Sequence, residues 1–249
     1  MRNQLRSCAQ RLLPIHVRRR IVRLTLWPPV GLVRWGSLRR LTPISRAWGY
    51  DRGLPVDRYY IEQFLSDCAA DVRGRVLEVK DDSYTVKYGG DRVSRSDVLH
   101  KTAGNPRATV VADLTNAPDL PADTYDCIIC TQTLQFIYEI RAAIGTLYRI
   151  LKPGGVLLVT VPGMSQISRF DMDRWGDYWR FTTLSIGHLF SETFTESQVR
   201  VRAYGNVRSA ISVLHGLASE ELGRRALDAV DPDYEVLIAV RAVKPEAST

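Results

Sequence analysis

Three carboxylates stand out by position. Glu78 sits near the end of an apolar run at 75–79, Asp97 follows 19 residues later, and Asp113 closes a second apolar run at 108–112. In an open α/β sheet the carboxyl ends of parallel strands line a crevice for nucleotide-like ligands. An acid about 20 residues past the first strand can accept both hydroxyls of a ribose. The series therefore predicts one mouth that binds a nucleotide-like ligand. A second cluster lies further on, where Arg169, Asp171, Asp173, Trp175, Asp177, Tyr178, Trp179, Arg180 and Phe181 follow one another closely. Aromatic faces beside carboxylates and arginine suit sugars or other polyhydroxylated rings. His16, His100 and His215 form no metal-ligand spacing with acids, and Cys127 and Cys130 fall inside a predicted buried strand, so no metal site is predicted.

These residues need elements to hold them. From Gly49 onward, short β-branched runs alternate with helical patterns, the signature of βαβ units around a mostly parallel sheet. The pattern predicts a helix over 57–68 and strands at 75–79, 91–94, 108–112 and 125–131. A helix over 140–151 follows, then the turn Lys152-Pro153-Gly154-Gly155 into a fifth strand at 156–161. The last third predicts a helix at 183–192, a strand at 198–204, a helical insert at about 206–230 and a strand at 234–243. Two late strands joined in this way suit an antiparallel edge.

The net charge of +7 is unevenly spread. Residues 1–48 hold 11 Arg and no Lys, Asp or Glu, so residues 49–249 carry −4. The chain divides accordingly into a basic, Arg-rich extension over 1–48, predicted to be helical between its prolines, and a mildly acidic main domain over 49–249. Such an extension either packs with its arginines solvated or rests on an anionic membrane or an acidic partner. Four cysteines are too few for a disulfide scaffold in 249 residues. A reducing cytoplasm, with peripheral membrane contact through the extension, is the expected location.

Four segments taken together carry a resemblance. Arg75-Val-Leu-Glu-Val79, Val-Ala-Asp113-Leu114, "TYDCIICTQTLQFI" and "YRILKPGGVLLVTVPG" stand in an order that resembles class I S-adenosylmethionine-dependent methyltransferases, over residues 50–249. The resemblance implies a Rossmann-like α/β fold: a seven-stranded, mostly parallel sheet with an antiparallel edge strand and helices on both faces. It also implies S-adenosyl-L-methionine as cofactor. Glu78 would face its amino-acid or ribose portion and Asp97 its ribose hydroxyls. Asp113 would meet the adenine amino group, with Leu114 beside the ring, and Thr131 and Gln132 the methionyl end. Arg58 or Tyr59, in an aromatic and basic segment before the first strand, would hold the carboxylate; the other reading of that segment is a helix start with Asp57 as its cap. One departure is plain: the glycines that normally follow the first acid are replaced, with Lys80, Asp82 and Tyr84 in their places.

By the same resemblance, residues 163–182 build the acceptor pocket, and "DYWRFT" is similar to methyltransferases of small molecules and sugars. Trp179 and Phe181 read equally well as core anchors. Methyl transfer to an alcohol profits from a general base; Asp173, Asp171 and His188 are the candidates. The reading that follows is an O-methyltransferase acting on a sugar, glycan or secondary-metabolite hydroxyl. Two rivals stand beside it: a relative of the same fold that has lost methyl transfer, suggested by the missing glycines, and an RNA methyltransferase, suggested by the Arg-rich extension. No nucleic-acid partner is expected, because the main domain is acidic and lacks a stacking platform.

Overall fold

The computed structural model of the chain describes residues 14–17, 28, 32–34 and 36–246. It forms two compact units, residues 1–42 and 43–249. The first is described only in short pieces, among them the 3-10 turn Gly36–Leu38. The helical extension expected over 1–48 thus falls largely outside the described residues.

The second unit is built on seven strands: β1 (Gly74–Val79), β2 (Val93–His100), β3 (Val110–Val111), β4 (Tyr125–Thr131), β5 (Leu151–Pro162), β6 (Val199–Tyr204) and β7 (Leu237–Val243). Their spatial order is β3-β2-β1-β4-β5-β7-β6. Neighbours from β3 through β5 run parallel, and β7 runs antiparallel to both β5 and β6. The chain winds outward from β1 to β3 and then returns to place β4 on the other side of β1. Strand order therefore reverses between β1 and β4, and at such a point the strand ends diverge and leave a crevice.

Period-two alternation sorts the strand residues between two cores. In β4, Ile128 and Cys130 join one apolar cluster, with Ala143, Ile144 and Leu147 of helix α3 (Ile140–Ile150). Cys127 and Ile129 join the other, with Ile61 and Leu65 of helix α1 (Val56–Asp67). Helix α5 (Thr183–Ser191) adds Ile186 and Phe190 to the first cluster, and helix α6 (Val207–His215) adds Ala210 and Val213 to the second. With helices on both faces the central strands read as continuous apolar runs. Each fully buried aliphatic side chain contributes about 1.5–3 kcal/mol. Cys127 and Cys130 are both free, and they point to opposite faces of the sheet.

Several elements differ from the sequence expectation, β5 among them: it starts at Leu151 and takes in 152–155, which were expected as a turn. Strand β2 spans Val93–His100 rather than 91–94, so Asp97 lies within it. Strand β3 is only two residues long. A short helix, α2 (Ser83–Gly89), follows the turn after β1. The remaining helices are the single turn α4 (Arg169–Met172) and α7 (Arg224–Asp228), which with α6 makes up the insert. Among the described residues no helix is long and apolar enough to cross a membrane.

Candidate active site

A cleft of about 1180 Å³ opens over the carboxyl ends of β1 to β4. At the end of β1, Glu78 is 2% exposed, and its carboxylate accepts from the backbone N–H of Tyr84 (3.2 Å) and Thr85 (2.7 Å) and from the Thr85 hydroxyl (2.7 Å). Burial outweighs these three donors and pushes the Glu78 carboxyl up to about 7. The turn beyond it accommodates side chains where glycines were expected. Lys80 takes a left-handed φ of 84°, its side chain is exposed, and its carbonyl accepts from Asn105 Nδ2 at 2.6 Å. The bend leaves the cleft open.

At the end of β3, Asp113 accepts from the backbone N–H and hydroxyl of Thr115 (2.9 and 2.8 Å) and pairs with Lys101 at 3.0 Å. Burial alone would raise its carboxyl, but these partners hold it below the usual carboxylate range. Leu114 is buried beside it, and Thr131 and Gln132 end β4, all three on the cleft wall. Arg58 reaches the wall from α1, its guanidinium donating to the hydroxyls of Tyr50 (2.9 Å) and Tyr84 (3.4 Å).

Four candidates lie elsewhere. Asp97 sits in mid-strand opposite Leu77, and its carboxylate is spent on Arg75 (2.8 Å), Arg95 (3.3 Å) and the Thr109 hydroxyl (3.2 Å). The end of β2 presents His100 and Lys101 to the cleft instead. The Tyr59 hydroxyl turns away and donates to Asp228 at 2.6 Å. Asp173 is the exposed C-cap that follows α4, and it lies outside the cleft wall. His188 is exposed on α5, a helix whose contacts are with β6 and β7. Of the three proposed bases, Asp171 lines the cleft; it accepts from the Ser168 hydroxyl at 2.5 Å.

The acceptor-side segment is held by a clamp made of two residues, Asp177 and Arg180, that the sequence pointed to as pocket lining. Asp177, with a side chain only 1% exposed, pairs with Arg180 at 2.6 and 3.0 Å and accepts from the Ser168 backbone N–H at 2.9 Å. Arg180 also donates to the carbonyls of Ser165 (3.4 Å) and Gln166 (2.7 Å). Trp179 donates from Nε1 to the Ile137 carbonyl at 3.0 Å, and Phe181 is buried in the core. The "DYWRFT" string thus folds mainly as a strap. Its companion Trp175, also on the cleft wall, meets His100 at the end of β2 edge-on, ring centroids 5.8 Å apart.

Asp57 was also missed. It is the second residue of α1, whose cap is Pro55 and makes no side-chain bond, so Asp57 does not cap the helix. Its side chain lines the cleft, and burial raises its carboxyl above the ordinary value. An acid one step inside a Pro-started helix was the available signal.

Residues 44–205 match the family described as a methyltransferase domain. The chain belongs to this family. Its strand order and the antiparallel β7 are those of the class I fold, whose cofactor is S-adenosylmethionine. The chain is 27% identical over 165 residues to a Mycolicibacterium smegmatis protein named "Probable S-adenosylmethionine-dependent methyltransferase", covering 66% of this chain and 56% of that protein. The chain thus spans little more than half the length of that curated relative. Among solved structures it is similar in fold to phosphoethanolamine N-methyltransferase 2 of Haemonchus contortus in complex with S-adenosyl-L-methionine. That match has a TM-score of 0.51 and 14% identity, over 88% of this chain and 61% of that one. The CurJ carbon methyltransferase gives a TM-score of 0.50 at 15% identity, over 80% and 58%. The residues present fit the cofactor's parts: the cleft is large enough, and carboxylates, a guanidinium and a buried leucine line it.

Proposed function

We propose that the domain transfers the methyl group of S-adenosylmethionine to a hydroxyl of a sugar, glycan or secondary metabolite. The observation that carries this reading is the character of the cleft's outer wall. Phe170, Trp175, Tyr138 and Tyr178 present aromatic surface beside Asp171 and Arg174, and the Tyr138 and Tyr178 rings lie 5.4 Å apart. Rings next to a carboxylate and a guanidinium match the alternating apolar faces and hydroxyls of a carbohydrate.

On the donor side, Asp113 takes the adenine amino group with Leu114 beside the ring. Thr131 and Gln132 meet the methionyl end, Arg58 holds its carboxylate, and buried Glu78 supplies negative potential near its cationic portion. With Asp97 spent on arginines, the ribose lies against His100 and Lys101. The cofactor supplies an activated methyl on sulfur. The protein aligns the acceptor oxygen with it, and excluding water from the cleft supplies much of the rate. Asp171 receives a hydrogen bond from the acceptor. The basic segment 1–48 offers contact to an anionic membrane or an acidic partner.

The test is incubation with methyl-13C-labelled S-adenosylmethionine and a panel of methyl glycosides and polysaccharides, with NMR detection of products. New O-methyl resonances support the reading; labelled methyl on nitrogen or carbon acceptors alone overturns the hydroxyl assignment.

A further inference from the structure

Beneath the aromatic wall the cleft continues into a crevice of about 40 Å³, room for one or two small polar groups. Trp48, Asp57, Gln132 and Gln135 border both spaces, so the crevice is the cleft's inner end. Its far wall is apolar, from Pro162 at the end of β5, Val213 of α6 and Leu237 of β7. Arg180 and Asp177 close another side, but each already satisfies the other.

Two acceptor groups border this crevice: an amide oxygen that lacks a donor, and a carboxylate with lone pairs beyond those its own helical turn uses. Gln135 is 4% exposed; its Nε2 donates to Gln132 Oε1 at 3.1 Å, while its Oε1 is buried with no partner. Such an orphan costs about 1–3 kcal/mol unless a ligand satisfies it. The Asp57 carboxylate receives backbone N–H groups from its own helical turn, while the neighbouring Arg58 guanidinium is directed to Tyr50 and Tyr84. The backbone around the crevice is also held in costly conformations. Among the described residues four non-glycine residues have positive φ, and two of them, Trp48 (61°) and Gln132 (47°), border the crevice. Strain of this kind costs of order 1–3 kcal/mol and persists where the surroundings over-determine it. At Trp48 the surroundings are visible: Ser45 Oγ accepts from the Ala47 and Gly49 backbone N–H groups and donates to Asp51, and a Cβ at Gly49 would meet the Leu217 carbonyl at 2.8 Å.

We infer that this crevice seats two neighbouring hydroxyl groups of the acceptor, one donating to Gln135 Oε1 and the other, the one methylated, donating to Asp57. This rests on the methyl-transfer reading above and narrows its acceptor to a vicinal diol. As the hydroxyl oxygen forms the new carbon–oxygen bond, the methyl–sulfur bond breaks and its electron pair stays on sulfur, which becomes a neutral thioether. The hydroxyl proton passes to the Asp57 carboxylate. Two acceptors facing two donors select a diol over an isolated alcohol, because a single hydroxyl bound at Asp57 leaves Gln135 Oε1 orphaned.

The test uses the whole chain with bound S-adenosylhomocysteine, probed by saturation-transfer NMR with cis-1,2-cyclohexanediol, cyclohexanol and methyl α-D-mannopyranoside. The diol and the glycoside are expected to bind at least tenfold more tightly than cyclohexanol. Asp57→Asn and Gln135→Leu should each erase that preference while retaining S-adenosylhomocysteine binding, which also reports that the variants are folded. Equal binding of diol and mono-alcohol, absence of diol binding, or a preference that survives both substitutions overturns the inference alone. Failure of the wild-type chain to bind S-adenosylhomocysteine overturns the methyl-transfer reading on which it rests.

Discussion

The two sides of the cleft are built by different means. The donor side consists of strand ends: Glu78, Leu99, Asp113 and Thr131 arrive there because hydrogen-bonded ladders fix where each strand stops. The acceptor side, Ser168 to Tyr178, has one helical turn and is fixed by side chains that reach backbone, chiefly Asp177, Arg180 and Trp179. A ladder tolerates substitution at any one side chain, whereas a clamp depends on a few. The difference teaches that the donor side is the more robust and the acceptor side the more specific and breakable.

The sharpest way to break this contrast is at Arg180. Arg180→Met strands the buried Asp177 carboxylate and frees the 165–168 backbone, and breaking such a pair costs roughly 3 kcal/mol or more. Urea unfolding should report that loss, and a stability within about 0.5 kcal/mol of wild type would show that the clamp is dispensable.

Glu78 gives the next largest effect, and it depends on pH. Burial raises its folded carboxyl to about 7 from an ordinary value of 4.5, so the folded state binds the proton more tightly than the unfolded one. Its contribution is fully present at low pH and is lost as pH climbs from about 4.5 through 7. Wild-type stability relative to Glu78→Gln should therefore fall over that window; a constant difference between the two proteins would contradict the assignment.

On the donor side Asp113→Ala should weaken S-adenosylhomocysteine binding about tenfold, about 1.4 kcal/mol, because the half-exposed carboxylate already has Thr115 and Lys101 as partners. Calorimetry measures this directly, and an unchanged affinity removes Asp113 from the site. The smallest effect is expected at Lys80→Gly. Relief of the left-handed strain and the entropy cost of glycine nearly offset each other, leaving stability within about 1 kcal/mol. Affinity for S-adenosylhomocysteine should not change; a large gain would show that the Lys80 side chain obstructs the cleft.

The same contrast explains what could be read from the chain. Continuous apolar runs located β1 and β4 and the residues at their ends, since burial on both faces leaves a continuous hydrophobic signature. Asp97 misled for a physical reason: the Val93–His100 strand is amphipathic at its start, with Ser94 and Arg95 exposed, so the apolar signal marked only part of it and the acid seemed to follow the strand. The Asp177–Arg180 pair was invisible as a clamp because its partners are backbone carbonyls and N–H groups, which carry no letter in a sequence. Asp57 and Gln135 meet only through tertiary structure, from α1 and the turn after β4.

Titration calorimetry with S-adenosylhomocysteine decides whether these strand ends and the glycine-poor bend form a working adenosyl cleft. The account predicts saturable binding to the wild-type chain together with a rise in its thermal midpoint. Absence of both heat and thermal stabilisation at millimolar ligand would contradict it.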